Sequence, residues 1–453
     1  MGSPAVAKSS HADVRLGWRE RLSYASGSVA SNLSWNMVAG FLVVYYTDVA
    51  LIPAALVGTL VLATRVFDAV FDPIVGVLVD RTRSRWGKTR PYLLFAPIPF
   101  AVVCVFVFSV PTGWSLGARL VYAYASFGLL GFLYSFLYVP YGALQPLLSS
   151  NKNELLTVSG LRSMGTSVAS VFVYSLAAPA ILYFGGGAGG YRGAAAFFAV
   201  ITTALYLVTF LNCRERVQGS PATDRSKISQ AVPRMFRNPI WLIVMTFEVL
   251  IFIRLGFFAS VMAFYARLVI GSAAAVSVLL PVLSAGIFTG GLVGPSLLRR
   301  FGKRRGTIYV LLFTILVFAT VPFVAHGLIP FAIVLYFGAF GNGVQAVMAY
   351  TLIAESVELQ EERFSARDAG LLTSVAAFNQ KIGFAIGSAI TAWALAYSGY
   401  KPDVNVAAVP TTLTALMCGL PIAVALAQLL IISQYRYDGY TFGASRYKEQ
   451  TRS

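Results

Sequence analysis

The sequence predicts an all-α membrane protein with twelve transmembrane helices arranged in two six-helix halves. Of its 453 residues, 57% are hydrophobic and 12% are charged, a charged share about half that of soluble globular proteins. A soluble enzyme, a secreted disulfide scaffold and a disordered tail protein are therefore excluded. A helix needs about 20 apolar residues to cross a bilayer. The twelve apolar segments have approximate centres at Trp35, Asp68, Val102, Gly131, Ser170, Ala204, Phe252, Ile287, Phe313, Ala339, Phe384 and Val424.

The distribution of basic residues predicts the orientation. If both termini lie on one side, that side collects 27 of the 35 Lys and Arg residues and the opposite side collects four. Cytoplasmic loops are enriched in Lys and Arg, so both termini are expected in the cytoplasm of a multi-pass protein of the plasma (inner) membrane. The net charge of +17 is then explained by loops that face anionic membrane lipids, and no nucleic-acid partner is expected. We expect a monomer without a cofactor or a structural metal.

One long polar interruption divides the chain. Residues 213–238 are predicted to form a cytoplasmic linker between an N-terminal half, 1–212, and a C-terminal half, 239–433, with a cytoplasmic tail at 434–453. Each half has a helix glycine followed by a short basic turn that contains glycine, at equivalent places. Two parallel six-helix halves of this kind are the major facilitator arrangement.

The second predicted span carries the clearest charge cluster inside the membrane. An ionisable side chain in a span is costly, so each one marks a candidate functional site. Asp68 and Asp72 are four residues apart and share one helix face. Their carboxylates repel each other unless a hard cation such as sodium, or a proton, lies between them. The structural alternative is a salt bridge from Arg65 that neutralises Asp68.

Further charged side chains lie in the other predicted spans. Lys381 lies near the middle of the eleventh span, where it either meets the two acids across the interface between the halves or extends toward the membrane surface. Arg162, in the fifth span, either binds substrate or extends toward the cytoplasm. Glu248 and Arg254 in the seventh span do not share a face and are interpreted as packing or interdomain contacts.

Amide and aromatic side chains in the spans predict a binding site for a polar organic solute with an apolar face. For each of them, hydrogen bonding between helices is the alternative. The candidates are Asn32, Trp35, Tyr138, Tyr141, Asn342, Gln345, Asn379 and Gln380.

A cytoplasmic gate is predicted where charged segments follow the second and tenth spans. The first segment contains Asp80, Arg81 and Arg85 in a basic turn. The second is interpreted as a mixed-charge loop that includes Glu355 and Arg363. Contacts between such segments would close one end of the bundle, and a solvated charged surface is the alternative.

The residues around the acid pair resemble a known family. The motif begins with Arg65, Asp68 and Asp72 and continues through residues 73–91. With residues 22–24, 45–48, 139–141 and 380–383, it resembles the signature of the glycoside–pentoside–hexuronide:cation symporters, the major facilitator branch that includes the melibiose carrier.

The resemblance implies alternating access driven by a sodium, lithium or proton gradient. It implies a cation site formed by Asp68, Asp72, the Ser135 hydroxyl and Lys381. Phe71 replaces an amide that lies between the acids in the melibiose carrier, and this replacement weakens the case for sodium and leaves a proton open.

The sugar site departs more from the family pattern. The sugar-binding acids of the melibiose carrier fall at Asn32 and Tyr138, its tryptophan falls at Gly142, and its sugar-site arginine matches Arg162. The resemblance therefore implies the transport machinery of the family without its galactoside recognition residues.

The predicted function is cation-coupled symport of a sugar, glycoside or related polar solute. The alternative is a proton-coupled or uncoupled carrier of a lysolipid or another non-sugar amphiphile, since animal relatives of the family carry lysophospholipids. No enzyme is predicted. The Asp-x-x-x-Asp motif of intramembrane prenyltransferases needs a second acidic motif, and the sequence does not provide one at the required spacing.

Overall fold

A computed structural model describes residues 16–149, 151–216, 233–364, 369–402, 404 and 406–435. All regular secondary structure in these ranges is helical. This agrees with the apolar segments, because a helix satisfies its backbone hydrogen bonds internally when it lies in lipid. Residues 217–232 of the predicted linker and 436–453 of the predicted tail lie outside the described ranges.

Before the linker, two long helices are followed by two short ones and then by three long ones. Helix α1 (Trp18–Val44) continues into a π-helical turn at Tyr45–Val49. The following helices are α2 (Ala54–Arg81), α3 (Arg90–Phe95), α4 (Pro97–Val107), α5 (Leu116–Leu148), α6 (Lys152–Tyr183) and α7 (Gly187–Asn212).

The helices after the linker follow a similar order, with two shorter helices after the first two long ones. They are α8 (Pro239–Leu268), α9 (Val276–Phe301), α10 (Lys303–Ala319), α11 (Val321–Val324), α12 (Leu328–Phe364), α13 (Ala369–Tyr397) and α14 (Ala408–Ser433). Helix α12 continues to Phe364, so the prediction of a loop around Glu355 and Arg363 is wrong. The charges there lie on regular helix turns.

Proline interrupts one helix at a corresponding place before and after the linker. Helix α3 ends just before Pro97, which begins α4, and α10 ends shortly before Pro322 in α11. Proline has no backbone N–H and its ring clashes with the preceding turn, so each interruption has a local cause.

Eight helices of the described chain are long and apolar enough to cross a membrane. They are Trp18–Val49, Leu116–Leu148, Thr157–Tyr183, Gly187–Asn212, Pro239–Leu268, Ala273–Phe301, Leu328–Phe364 and Ala408–Ser433. Helices α2 and α13, with 28 and 29 residues, are of similar length and carry the charged residues of interest.

The packing order of the helices recurs along the chain. Helix α1 packs against α6 and α7, α2 against α5, and α4 against α7. In the same order, α8 packs against α13 and α14, α9 against α12, and α10 against α14. The two sets meet where α2 contacts α13, α6 contacts α9, and α1 contacts α8. The contact between α2 and α13 positions the candidate site.

Candidate functional site

Asp68 and Asp72 project from α2 toward α5 and α13. The side chain of Asp68 is 2% exposed and that of Asp72 is 22% exposed. Gly131 of α5 permits this approach, because a side chain at that position would come within 3.2 Å of Asp68. A buried carboxylate pair needs compensating partners, and the neighbouring helices provide them.

Lys381 of α13 is the principal partner of both acids. Its Nζ lies 2.5 Å from Asp72 Oδ2 and 3.1 Å from Asp68 Oδ2. Ser135 of α5 donates a hydrogen bond to Asp72 Oδ1 at 2.6 Å and lies 3.2 Å from Asp68 Oδ1. We call Asp68, Asp72, Ser135 and Lys381 the acid–lysine cluster. It joins a helix that precedes the linker to one that follows it.

Arg65 is the second basic group beside the two acids, and it lies farther from Asp68 than Lys381 does. Its Nη1 lies 3.8 Å from Asp68 Oδ2, and its guanidinium lies 3.8 Å from the centre of the Trp35 ring. The salt bridge to Asp68 that the sequence suggested is thus present, although Lys381 is closer. Two carboxylates and two basic groups together leave the buried set without net charge.

A cavity of about 420 Å³ opens beside the acid–lysine cluster. Asp72 and Lys381 line it, and so do Asn32, Trp35, Tyr138 and Gln380 among the predicted substrate residues. The rings of Trp35 and Tyr134 stack at 4.4 Å, and those of Tyr134 and Tyr138 stack at 5.5 Å. A stacked aromatic surface beside charged and amide groups suits a solute with both polar and apolar faces.

The remaining predicted substrate residues contact other side chains. Tyr141 is buried and stacks on Tyr24, with ring centres 4.7 Å apart. Arg162 donates to Gln145 at 3.3 Å, and its guanidinium lies 5.2 Å from the Tyr141 ring centre. Asn379 donates to the carbonyl oxygen of Met245 at 3.4 Å.

Asn342 and Gln345 are buried against a positive charge. Arg254 donates to Asn342 Oδ1 at 2.7 Å and to Gln345 Oε1 at 2.6 Å. We call these three residues the arginine–amide cluster. It joins α8 to α12, and none of its members lines the 420 Å³ cavity. Gln380, which does line that cavity, donates to Glu248 of α8 at 2.8 Å.

The residues of the predicted gate contact neighbours within their own part of the chain. Glu355 pairs with Lys303 and accepts a hydrogen bond from Tyr435 at 2.6 Å. Arg85 is exposed and stacks over Trp86, with its guanidinium 4.2 Å from the ring centre. Arg81 and Arg363 are exposed, and the side chain of Asp80 lies outside the described part of the structure.

A cluster that the sequence reasoning missed lies at the opposite end of the bundle. Asp48, in the turn after α1, pairs with Arg267 of α8 at 2.6 Å and accepts a hydrogen bond from Tyr400 at 2.8 Å. Arg267 also donates to the Tyr400 hydroxyl. We call these three residues the terminal cluster. Its only sequence signal is an acid within the 45–48 segment, which gives no indication of its partners.

Comparison with known proteins shows similarity along nearly the whole chain. A family profile described as "MFS/sugar transport protein" matches residues 23–439. The isoprimeverose transporter of Lactiplantibacillus pentosus is 33% identical over 396 residues, which are 84% of this chain and 81% of that protein. YagG of Escherichia coli (strain K12), whose name describes a glycoside/cation symporter, is 28% identical over 430 residues, 93% of this chain and 92% of that protein.

Solved structures resemble the fold at lower identity. A bacterial homologue of the human lysosomal transporter Spinster, in an inward-facing and occupied conformation, has a TM-score of 0.67 and 15% identity. The match covers 92% of this chain and 96% of that one. At this identity the likeness concerns the fold alone.

Proposed function

Because the chain belongs to the MFS/sugar transport proteins, and among them to the glycoside–pentoside–hexuronide family, we propose that it carries a sugar or glycoside across the membrane together with a cation. It is a multi-pass integral membrane transporter with a major facilitator-like fold, and not an enzyme. The names of the similar proteins refer to sugars and glycosides and do not favour the lysolipid alternative.

We propose twelve spans in two halves, 1–212 and 239–433, joined by a linker at 213–238. The recurring packing order supports this division, with α3–α4 and α10–α11 each forming one interrupted span. The excess of Lys and Arg at one end of the bundle supports a cytoplasmic location of both termini and of the tail at 434–453.

The observation that carries the proposal is the pairing of Lys381 with both carboxylates of α2. The buried set of two acids and two bases is neutral, so an added cation leaves an excess positive charge unless a basic group withdraws. An entering cation and the Lys381 ammonium therefore compete for Asp68 and Asp72. Because α13 belongs to the other half, withdrawal of Lys381 weakens a contact between the halves.

Either a sodium ion or a proton could be the cation that competes with Lys381 for the two acids. Sodium binds oxygen ligands, and Asp68, Asp72 and the Ser135 hydroxyl offer oxygen atoms within one small volume. A proton on Asp72 would also reduce the attraction for Lys381. Phe71, which lies between the two acids in the sequence, offers no polar ligand.

The substrate is proposed to bind in the 420 Å³ cavity beside the cluster. The stacked rings of Trp35, Tyr134 and Tyr138 would cover the apolar face of a sugar ring. Asn32 and Gln380 offer amide groups for its hydroxyls. The cation would then bind next to the sugar, and if it raises the affinity for the sugar, the sugar raises the affinity for the cation by the same factor.

The terminal cluster supports alternating access between two states. It joins α1 to α8 across the two proposed halves, at the end remote from the basic loops. With both termini in the cytoplasm, this contact closes the outer end of the cavity. Rocking of the halves would break the terminal cluster and open the outer end.

Uptake into proteoliposomes tests the proposed function. Purified protein is reconstituted and given labelled isoprimeverose or a panel of methyl glycosides, under an imposed sodium gradient, an imposed proton gradient or neither. We expect at least one sugar to accumulate above its external concentration with one of the gradients, and an ionophore to abolish the accumulation. Equilibration at the same rate with and without both gradients would contradict cation coupling.

A further inference from the structure

Helices α8 and α13 lie too close together for a side chain at three glycine positions of their contact. A side chain at Gly383 would clash with the backbone of Val249, and one at Gly387 with the backbone of Ile253. Gly256 of α8 meets the backbone of Phe384 in the same way. Small residues of this kind allow close helix packing in membranes and fix the rotation of one helix against the other. The two helices therefore hold their polar side chains in a fixed relative position.

Glu248 lies on this packed helix pair and has no basic partner among the described residues. It is 1% exposed, and its Oε1 accepts a hydrogen bond from Gln380 Nε2 at 2.8 Å. Its Oε2 has no hydrogen-bond partner in the described part of the chain. A carboxyl group so placed in a membrane span is costly, and no ion pair or helix cap explains its presence.

The contact with Glu248 determines which end of the Gln380 amide faces the cavity. In the structure the amide nitrogen of Gln380 donates to Glu248 Oε1, and this oxygen can accept whether the carboxyl group is ionised or neutral. The carbonyl oxygen of Gln380 remains as an acceptor. Gln380 lines the 420 Å³ cavity together with Asn32 and Tyr350.

We propose that Glu248 is a positioning residue that holds Gln380 as a hydrogen-bond acceptor for one hydroxyl group of the substrate. The inference rests on the proposed transport of a polyhydroxylated solute and adds a specificity determinant to it. Gln380 immediately precedes Lys381, so the substrate contact and the ammonium of the acid–lysine cluster lie on consecutive residues of one helix. Substrate binding at Gln380 thereby restrains the helix turn from which Lys381 reaches the acids.

A double-mutant cycle in proteoliposomes tests whether Glu248 acts through Gln380. The variants are Gln380→Leu, Glu248→Leu and the double variant, assayed with the sugar that the parent protein accumulates. We expect each single variant to raise the KM for that sugar about tenfold, the loss of one hydrogen bond to a buried group. The double variant should show the same KM as either single variant, and the cation concentration for half-maximal uptake, measured at saturating sugar, should not change.

Glu248→Gln is the conservative control. Its amide carbonyl can still accept the hydrogen bond from Gln380, so we expect a KM within about threefold of the parent value. If the KM of the double variant rises by the product of the two single-variant factors, Glu248 acts independently of Gln380 and the inference is overturned. A Glu248→Gln variant with the KM of Glu248→Leu would overturn it as well.

Monodeoxy analogues of the transported sugar give a second test that does not depend on Glu248 variants. If Gln380 accepts from one hydroxyl, the KM difference between the parent and Gln380→Leu should disappear for the analogue that lacks this hydroxyl and persist for the others. If the KM difference between the parent and Gln380→Leu is the same for every analogue, the inference is overturned. If the parent protein accumulates no sugar under either gradient, the proposed function fails; if the parent is active and Gln380→Leu has the parent KM, only the present inference fails.

Discussion

Two buried clusters of this protein differ in how their charges are compensated. The acid–lysine cluster contains charges of both signs, joins α2 to α13 and borders the 420 Å³ cavity. The arginine–amide cluster contains one positive charge, Arg254, held by the neutral acceptors Asn342 and Gln345. It joins α8 to α12 away from that cavity, and Arg254 Nη1 has no hydrogen-bond partner among the described residues.

The difference shows that buried charges can have two roles in this fold, one in movement and one in fixing helices together. In the acid–lysine cluster an entering cation can replace Lys381 without leaving the two carboxylates uncompensated, so the cluster can exist in two arrangements. In the arginine–amide cluster no acid is present to exchange partners, so Arg254 has one arrangement. We interpret the first cluster as the moving part and the second as a fixed connection between two helices.

The largest expected effect is the loss of coupling after a change in the first cluster. Asp72→Asn removes one of the two carboxylates for which the cation and Lys381 compete, while Asp68 still pairs with Lys381. Gradient-driven accumulation should fall to the level of protein-free liposomes, although the purified protein should remain folded in detergent. Accumulation at the parent rate in Asp72→Asn, and in the companion variant Asp68→Asn, would remove the cluster from the coupling mechanism.

The second prediction concerns stability. Arg254→Leu leaves the acceptors of Asn342 and Gln345 without a donor, which should lower the free energy of unfolding by about 1–3 kcal/mol. The remaining uptake should keep its dependence on the cation. Thermal unfolding in detergent and uptake at varied cation concentration measure the two effects.

Apolar replacement of the whole cluster is the matched control for this prediction. A variant with Arg254→Met, Asn342→Leu and Gln345→Leu has no buried group to satisfy, so it should recover most of the lost stability. If Arg254→Leu keeps the parent midpoint but loses its cation dependence, the two clusters do not differ in the proposed way.

The sequence predicted the family and the positions of the acid pair more fully than the partners of other polar residues. The motif from Arg65 through Pro91 carried the resemblance, which the family match over residues 23–439 confirms. Helix periodicity alone places Asp68 and Asp72 on one face. These are properties of a single segment and can be read without knowledge of the tertiary structure.

Contacts between distant segments could not be predicted in the same way. Asn342 and Gln345 were predicted to bind substrate, and the structure turns them toward Arg254, 88 and 91 residues away. An amide in an apolar span does not reveal which neighbouring helix it faces. The charged residues after the tenth span were interpreted as a loop, but their polarity only marks the end of the membrane region, and the helix continues through it to Phe364.

The terminal cluster shares one property with the acid–lysine cluster and differs from it in exposure to solvent. Like the acid–lysine cluster it connects the proposed halves, but Arg267 is 40% exposed, so solvent and salt screen its pairing with Asp48. Asp48→Asn should shift the balance toward the state with an open outer end by less than about 1 kcal/mol. Labelling of a cysteine introduced at Ser170, beside the cavity, by an external thiol reagent measures this shift. Unchanged labelling, at low as well as high salt, would show that the cluster does not contribute to closure.

The smallest expected effect distinguishes the two candidate cations at the acid–lysine cluster. Ser135→Ala removes a neutral oxygen that lies 2.6 Å from Asp72 Oδ1 and leaves the two acids, Lys381 and the nearby Arg65 in place. If sodium uses this oxygen as a ligand, the sodium concentration for half-maximal uptake should rise about fivefold, the equivalent of one hydrogen bond. The sugar KM at saturating sodium should not change. A proton-driven carrier needs no oxygen ligand at this position, so its uptake should not depend on sodium in the parent or in the variant. A variant with the parent's sodium dependence would exclude Ser135 from the coupling site, although the charge exchange between the acids and Lys381 would remain.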